Sequence, residues 1–129
     1  MAIKILLAED ELQLVDMYSR KFELEGFEVQ IAEDGKKAIN ILKVFTPDIA
    51  LLDVMMPEVD GLEVLEYIKT TPELNKVITV MLTNMADQET AERIYELGAT
   101  EYLVKAEITP LEVTNKVKSL ISIYSKEEK

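Results

Sequence analysis

Asp48-Ile49-Ala50-Leu51-Leu52-Asp53 is the stretch that decides the fold, because it sets four apolar residues in a row between two aspartates. A run this short and this apolar is typical of a strand that is covered on both faces, as in parallel sheets. Apolar residues recur at helical spacing before Thr46-Pro47 and again after Asp60-Gly61. The sequence therefore predicts a buried strand between two helices.

The same alternation of strand and helix continues along the chain. Strands joined by helices run parallel, with right-handed crossovers. The predicted fold class is α/β, a doubly wound, flavodoxin-like (βα)5 sheet of five parallel strands, for which the order 2-1-3-4-5 is the common one. The further strands are predicted at 3–8, 27–31, 77–82 and 101–104, and the helices at 11–25, 38–45, 62–70, 88–97 and 110–123.

The chain length of 129 residues fits one domain. We expect that domain to occupy residues 1–125, followed by a frayed charged tail at 126–129. No repeat and no linker-like segment interrupts the pattern. The expectation is a domain that stands alone.

The composition excludes several classes of protein. There is no Cys and no His, which excludes disulfides, thiolate or imidazole metal sites, a Ser-His-Asp triad and a phosphohistidine on this chain. The net charge of −11 argues against nucleic acid or an anionic membrane as a direct partner. No apolar run approaches the roughly 20 residues of a membrane span, and no signal-peptide core is present, so we expect a cytoplasmic protein.

Chemically active side chains stand at the carboxyl ends of the predicted strands, where open parallel sheets bind ligands. Like charges that converge repel one another, so the carboxylates need positive charge beside them. Since the chain offers only oxygen ligands, Mg²⁺ is the expected ion. The residues at these ends are Glu9, Asp10, Asp53, Thr83 and Lys105.

Each of these residues also has an ordinary structural role open to it. Asp53 or Thr83 could cap a helix, Glu9 and Asp10 could interact with a helix dipole, and Lys105 could be a solvated amine. All five residues nevertheless follow strands at one edge of the predicted sheet, in an order that builds one site. This conjunction favours a functional site.

The whole chain resembles a response-regulator receiver domain, the chemotaxis-type module of two-component signalling. The Met-Pro and Asp-Gly pairs that follow the third strand are the most specific part of the resemblance. The matching stretches are 5–11, 47–57, Asp60-Gly61, 81–83, Gly98-Ala99 and 102–105.

The resemblance implies a role for each matching residue. Asp53 corresponds to the phosphoacceptor, with Glu9 and Asp10 as the acidic metal pair. The backbone carbonyl of Met55 completes the Mg²⁺ ligands. The residues that bind the phosphoryl group and switch on phosphorylation are Thr83, Lys105 and Tyr102.

Two positions depart from the family pattern. Ala106 stands where receivers have a proline after the lysine, so we expect a trans peptide bond and a different loop. Asn84 stands where a smaller residue is usual, beside the switch threonine. These departures leave a second hypothesis open, in which the chain is a pseudo-receiver that acts as a phosphorylation-independent interaction module.

The resemblance also implies how the phosphorylated state persists and who the partners are. Apolar Met55 and Met85, with Asn84, stand at positions that modulate access and lifetime, so we expect slow autodephosphorylation of a phosphoacceptor rather than a turnover enzyme. Leu14 and Met17 are candidates for docking a histidine kinase or histidine phosphotransfer protein. A downstream protein target follows, contacted by a monomer or a phosphorylation-dependent dimer.

The sequence of the first loop argues against two other hypotheses, an FMN carrier and an aspartyl-nucleophile phosphatase. An FMN carrier needs a Ser/Thr/Gly cradle, whereas Glu9-Asp10-Glu11 would repel the cofactor phosphate. An aspartyl-nucleophile phosphatase needs an Asp-x-Asp pair after the first strand, which this loop does not supply.

Overall fold

The computed structural model describes residues 2–84 and 87–127, and over this part of the chain strands and helices alternate. Two 3₁₀ turns, Pro72–Leu74 and Lys105–Glu107, supplement the regular elements. The strands are β1 (Lys4–Ala8), β2 (Glu28–Ala32), β3 (Ile49–Asp53), β4 (Ile78–Thr83) and β5 (Glu101–Val104), and the helices are α1 (Leu12–Leu24), α2 (Gly35–Leu42), α3 (Gly61–Thr70), α4 (Gln88–Glu96) and α5 (Pro110–Glu127).

The five strands form one parallel sheet in the order β2-β1-β3-β4-β5, which confirms the predicted fold class and strand order. The central strand β3 is buried along its whole length, as its apolar run predicts. The edge strand β2 is different, because only Ala32 in it is buried. Its alternating sequence reflects that exposed edge position.

Side chains alternate between the two faces of the sheet and build a separate core on each. Leu6, Leu52 and Met81 point to the face covered by α2, α3 and α4. Leu7 and Val80 point to the face covered by α1 and α5. The helices therefore lie on both faces, as a doubly wound sheet requires.

Polar side chains begin four of the helices. The carboxylates of Asp34, Asp60 and Asp87 each accept a hydrogen bond from the backbone amide three residues ahead. Thr109 and Glu112 bond reciprocally to each other's amides and form a capping box at the start of α5. These caps fix the residue at which each of these four helices begins.

Some helix ends differ from the prediction. Helix α2 ends at Leu42 instead of Phe45, because the chain makes a tight turn in which the Val44 amide bonds to the Ile41 carbonyl. Helix α5 runs to Glu127, past the predicted end at Ile123. The tail predicted at 126–129 lies partly outside the described residues. None of the helices described is long and apolar enough to cross a membrane.

Candidate functional site

Parallel register brings the ends of four strands together at one edge of the sheet. Ala8 of β1 pairs with Leu52 of β3, so the residues that follow β1 stand beside Asp53. Asp53 itself pairs with Leu82 of β4, and Thr83 pairs with Val104 at the end of β5. The five residues predicted at strand ends, Glu9, Asp10, Asp53, Thr83 and Lys105, therefore converge on this edge.

Three carboxylates form the acidic half of the site. One oxygen from each of Glu9, Asp10 and Asp53 lies within 4.8 Å of the others. Glu9 and Asp53 are buried, whereas Asp10 is exposed. Oxygen donors crowded in this way fit a hard divalent cation such as Mg²⁺.

Lys105 supplies the positive half of the site. Its Nζ lies 2.6 Å from Glu9 Oε1 and 3.2 Å from Asp53 Oδ2, and its side chain is only 6% exposed. No peptide bond in the described part of the chain is cis, so the bond to Ala106 is trans, as predicted. Lys105 is itself the first residue of the 3₁₀ turn, and its ammonium still reaches the site.

Burial and charge change the acidity of both partners. Burial, reinforced by the negative charge of Glu9, raises the pKa of Asp53 to about 8, against an opposing effect of Lys105. Burial lowers the pKa of Lys105, but its close ion pair with Glu9 and the nearby Asp53 carboxylate outweigh that effect and raise the pKa above its ordinary value. The lysine is therefore charged, and the carboxylates are short of positive charge.

The loop after β3 holds Asp53 in place through its backbone. The Met55 amide donates to Asp53 Oδ1 at 3.4 Å, and the Gly61 amide donates to the Val54 carbonyl at 3.0 Å. A Cβ on Gly61 would lie 2.1 Å from the Asp53 carbonyl oxygen, so only glycine fits there. The loop also contains Glu58 at φ 63°, a left-handed conformation.

The predicted switch residues stand next to the site in different environments. Thr83 is buried at the end of β4, and Asn84 beside it is exposed. Tyr102 on β5 is 37% exposed. Met55 is 70% exposed, and Met85 lies outside the described residues.

The predicted docking residues lie on α1. Leu14 is half-buried and packs against the core shared with α5, whereas Met17 is exposed. Only Met17 is available for contact with a partner without rearrangement.

Sequence reasoning missed two side chains that face the site. Glu11 Oε1 lies 3.5 Å from Lys105 Nζ, which makes it a third carboxylate on the lysine. Its position directly after Glu9-Asp10 was a signal for this role. Tyr18 on α1 is buried, and burial first, then the charge of Glu9, raise the pKa of its phenol. No sequence pattern distinguishes it from an ordinary core residue.

Comparison with known proteins agrees with this geometry. The model of the response regulator receiver domain family matches residues 5–118. The chain is 35% identical over 128 residues to the regulatory protein VanRc of Enterococcus gallinarum, covering 98% of this chain and 53% of that protein. It is 33% identical over 121 residues to the phosphate regulon transcriptional regulatory protein PhoB of Escherichia coli, covering 94% and 52%. The chain thus spans about half the length of these curated relatives.

Solved structures show the same fold. A CheY-like receiver domain protein from Methanospirillum hungatei superposes with a TM-score of 0.89 at 26% identity, covering 98% of this chain and 99% of that one. The chemotaxis response regulator CheY4 of Vibrio cholerae gives a TM-score of 0.85 at 25% identity, covering 92% and 98%. With the family match over most of the chain, these findings show that it belongs to the response regulator receiver domain family.

Proposed function

We propose that Asp53 accepts a phosphoryl group from a phosphohistidine on a histidine kinase or histidine phosphotransfer protein, in a reaction that depends on Mg²⁺. The observation that carries this proposal is the position of Asp53. Its carboxylate is buried between an acidic pair and a lysine whose Nζ lies 3.2 Å from Oδ2. That arrangement suits a nucleophilic carboxylate better than a structural one.

The proposed phosphoryl transfer needs no reactant other than the phosphohistidine donor and Asp53. An Asp53 carboxylate oxygen forms a bond to phosphorus while the P–N bond to imidazole breaks, and the electron pair of that bond returns to the ring nitrogen. Lys105, whose Nζ contacts Asp53, and the Thr83 hydroxyl are proposed to bind the equatorial oxygens of the phosphoryl group. The protein's contribution is positioning and neutralisation of charge.

Glu9, Asp10, Asp53 and the backbone carbonyl of Met55 would hold the Mg²⁺. The crowding of three carboxylates supports this assignment. The raised pKa of Asp53 agrees with it, because burial first, and then the negative charge of Glu9, disfavour the charged form when no further cation is present. When bound, the ion supplies that charge and a Lewis-acid contact to the phosphoryl oxygens.

The phosphorylated form is proposed to be long-lived, so that the chain acts as a phosphoacceptor and not as a turnover enzyme. Met55 lies two residues after the acceptor and is largely exposed, and we propose that its apolar side chain lies at the mouth of the site. A thioether cannot orient a water molecule for attack on the acyl phosphate. Met85 is proposed to act in the same way.

Signalling is proposed to pass from Thr83 to Tyr102. A phosphoryl group adds roughly −1.5 to −2 charge and new acceptor oxygens, which attract the buried threonine hydroxyl. Movement of the residues after β4 then opens space for the exposed tyrosine ring to turn inward. The surface of α4, β5 and α5 would change shape and bind a downstream protein or a second copy of the chain.

The docking surface for the phosphodonor, the other partners and the location of the protein are also part of the proposal. Met17, with Leu14 behind it, is proposed to contact the donor on α1. The expectation of no direct nucleic-acid contact stays a prediction, because PhoB is named a transcriptional regulatory protein and this chain matches about half of its length. A cytoplasmic location stays a prediction.

The pseudo-receiver alternative has less support. Two residues favour it: Asn84, which is larger than usual beside the switch threonine, and Ala106, where a different loop could turn Lys105 away from the site. Lys105 nevertheless reaches Asp53, and the Asn84 side chain is exposed instead of filling the site.

The test is incubation with acetyl phosphate and Mg²⁺, followed by intact mass. We expect one added phosphoryl group, lost in Asp53→Asn and when EDTA replaces Mg²⁺. Asp16→Asn, on the exposed surface of α1, is the matched control and keeps the added group. Phosphorylation that persists in Asp53→Asn would overturn the assignment.

A further inference from the structure

We infer that Glu11 selects among phosphodonors by charge, disfavouring each donor in proportion to its net negative charge, so that a donor that brings positive charge of its own is disfavoured least. This inference rests on the proposed function of Asp53 as phosphoacceptor. It adds a specificity-determining residue to that site. The observation behind it is the contact between Glu11 and Lys105, the cation that would receive the incoming phosphoryl oxygens.

Lys105 is shared among three carboxylates. Its Nζ lies 2.6 Å from Glu9, 3.2 Å from Asp53 and 3.5 Å from Glu11. Glu9 and Asp53 are buried, but the Glu11 side chain is 51% exposed. Glu11 is therefore the carboxylate that approaches the lysine from the solvent side, where a donor must enter.

The Glu11 side chain does not serve its helix. Glu11 is the N-cap residue of α1, yet its side chain makes no capping hydrogen bond. The Glu11 amide instead donates to Glu9 Oε2 at 3.1 Å, which fixes the start of the helix beside the site. The carboxylate is directed to the lysine at the expense of the usual N-terminal cap.

An incoming phosphoryl group must displace this carboxylate from Lys105. For a small anionic donor the negative charge of Glu11 opposes approach, because nothing on the donor compensates it. A protein donor can place a basic side chain against Glu11 as it docks.

The experiment compares two donors of different charge on Glu11→Gln. Acetyl phosphate is a dianion at neutral pH and phosphoramidate a monoanion, and each gives a phosphoryl group to Asp53 while the P–O or P–N electron pair leaves with acetate or ammonia. We expect the second-order rate constant of phosphorylation to rise about fivefold for acetyl phosphate and about twofold for phosphoramidate, since the Coulomb energy scales with donor charge. The difference should shrink as salt is raised.

Glu23→Gln is the matched control, an exposed glutamate farther along α1, and we expect unchanged rates. A second readout needs neither metal nor donor: the ¹⁵Nζ signal of Lys105 in the metal-free protein should move in Glu11→Gln and not in Glu23→Gln. Equal acceleration for both donors, or an unmoved Lys105 signal, would overturn the inference. Failure of the unsubstituted protein to react with either donor would instead overturn the proposed function.

Discussion

The ammonium of Lys105 lies 2.6 Å from a carboxylate oxygen of Glu9, which is fully buried, and is farther from Asp53, at 3.2 Å. The lysine therefore neutralises Glu9 first. Asp53 is left with a partial share of one cation while Glu9 and Asp10 surround it. The pKa of Asp53 therefore responds to the charges of Glu9 and Lys105 as well as to burial, which is the larger cause of its rise.

Glu9→Gln should lower the pKa of Asp53 below about 8, because it removes the charge that, after burial, contributes most to raising it. Lys105→Met should act in the opposite direction and raise that pKa, since the lysine charge lowers it. The measurement is a ¹³C NMR titration of the Asp53 carboxyl in the metal-free protein.

Glu33→Gln, an exposed substitution before α2, is the control and should leave the titration of Asp53 unchanged. If Glu9→Gln and Lys105→Met shifted the pKa in the same direction, the shift would reflect altered burial and not charge.

The stability of the metal-free protein should depend on the ionisation of Asp53. The pKa of this carboxyl is 3.8 in an ordinary environment and about 8 in the fold, so the folded state holds its proton more tightly. The unfolded chain ionises first as the pH rises, and folding loses stability between pH values near these two figures. Asp53→Asn removes this loss.

Urea unfolding of Asp53→Asn and the unsubstituted protein should therefore diverge with pH. We expect similar unfolding free energies below the lower pKa and a growing advantage for the variant as the pH approaches about 8. Added Mg²⁺ should reduce the difference by stabilising the ionised carboxylate. An advantage of the variant that is constant with pH would contradict this explanation.

Gly61→Ala should destabilise the protein by about 1–3 kcal/mol, the usual range for forcing extra carbon atoms into a close-packed position. The added carbon would lie 2.1 Å from the Asp53 carbonyl oxygen, so the backbone of the acceptor must move. We expect slower phosphorylation along with the loss of stability. Urea unfolding and the rate with acetyl phosphate are the two measurements.

Gly26→Ala separates steric collision from backbone strain. Gly26 has φ +84° but nothing within 4 Å of an added Cβ, so its substitution should cost about 1 kcal/mol through conformation alone. It lies between α1 and the start of β2, away from the carboxyl ends of the strands, so the phosphorylation rate should be unchanged. Equal loss of rate in both variants would show that Gly61 affects phosphorylation only through global stability.

The fold was predictable because its strongest signals are local. Buried runs such as β3 and the Asp-Gly and Thr-Pro boundaries fix where elements begin and end, and alternation of strand and helix restricts the topology. The end of α2 was predicted wrongly, since Phe45 continues the apolar spacing while the chain has already turned after Leu42. Periodicity does not detect such a turn.

The site was predictable to the level of which residues meet, because strand ends converge in any parallel sheet. The sharing of Lys105 was not, since it depends on side-chain directions at the start of α1, where Glu11 leaves its helix uncapped. The collision at Gly61 depends likewise on two segments that approach only in the folded chain.

Thr83→Ala should separate phosphorylation from switching. Its hydroxyl is the group proposed to follow the phosphoryl oxygens, while Asp53 and Lys105 retain their contact. We expect Thr83→Ala to gain a phosphoryl group on Asp53 at a rate about ten- to a hundredfold below that of the unsubstituted protein, because one hydrogen bond to a charged group is lost. The ring signals of Tyr102 should then stay at their unphosphorylated positions, whereas they shift in the unsubstituted protein.

Ser in place of Thr83 provides the matched control, because it keeps the hydroxyl and loses only a methyl group. Thr83→Ser should restore the Tyr102 shift on phosphorylation, measured by NMR alongside intact mass. Since Tyr102 is partly exposed before phosphorylation, an inward turn should also protect its ring from solvent. A Tyr102 shift of full size in phosphorylated Thr83→Ala would mean that the signal reaches β5 through Lys105 and the turn after it, and not through the threonine hydroxyl.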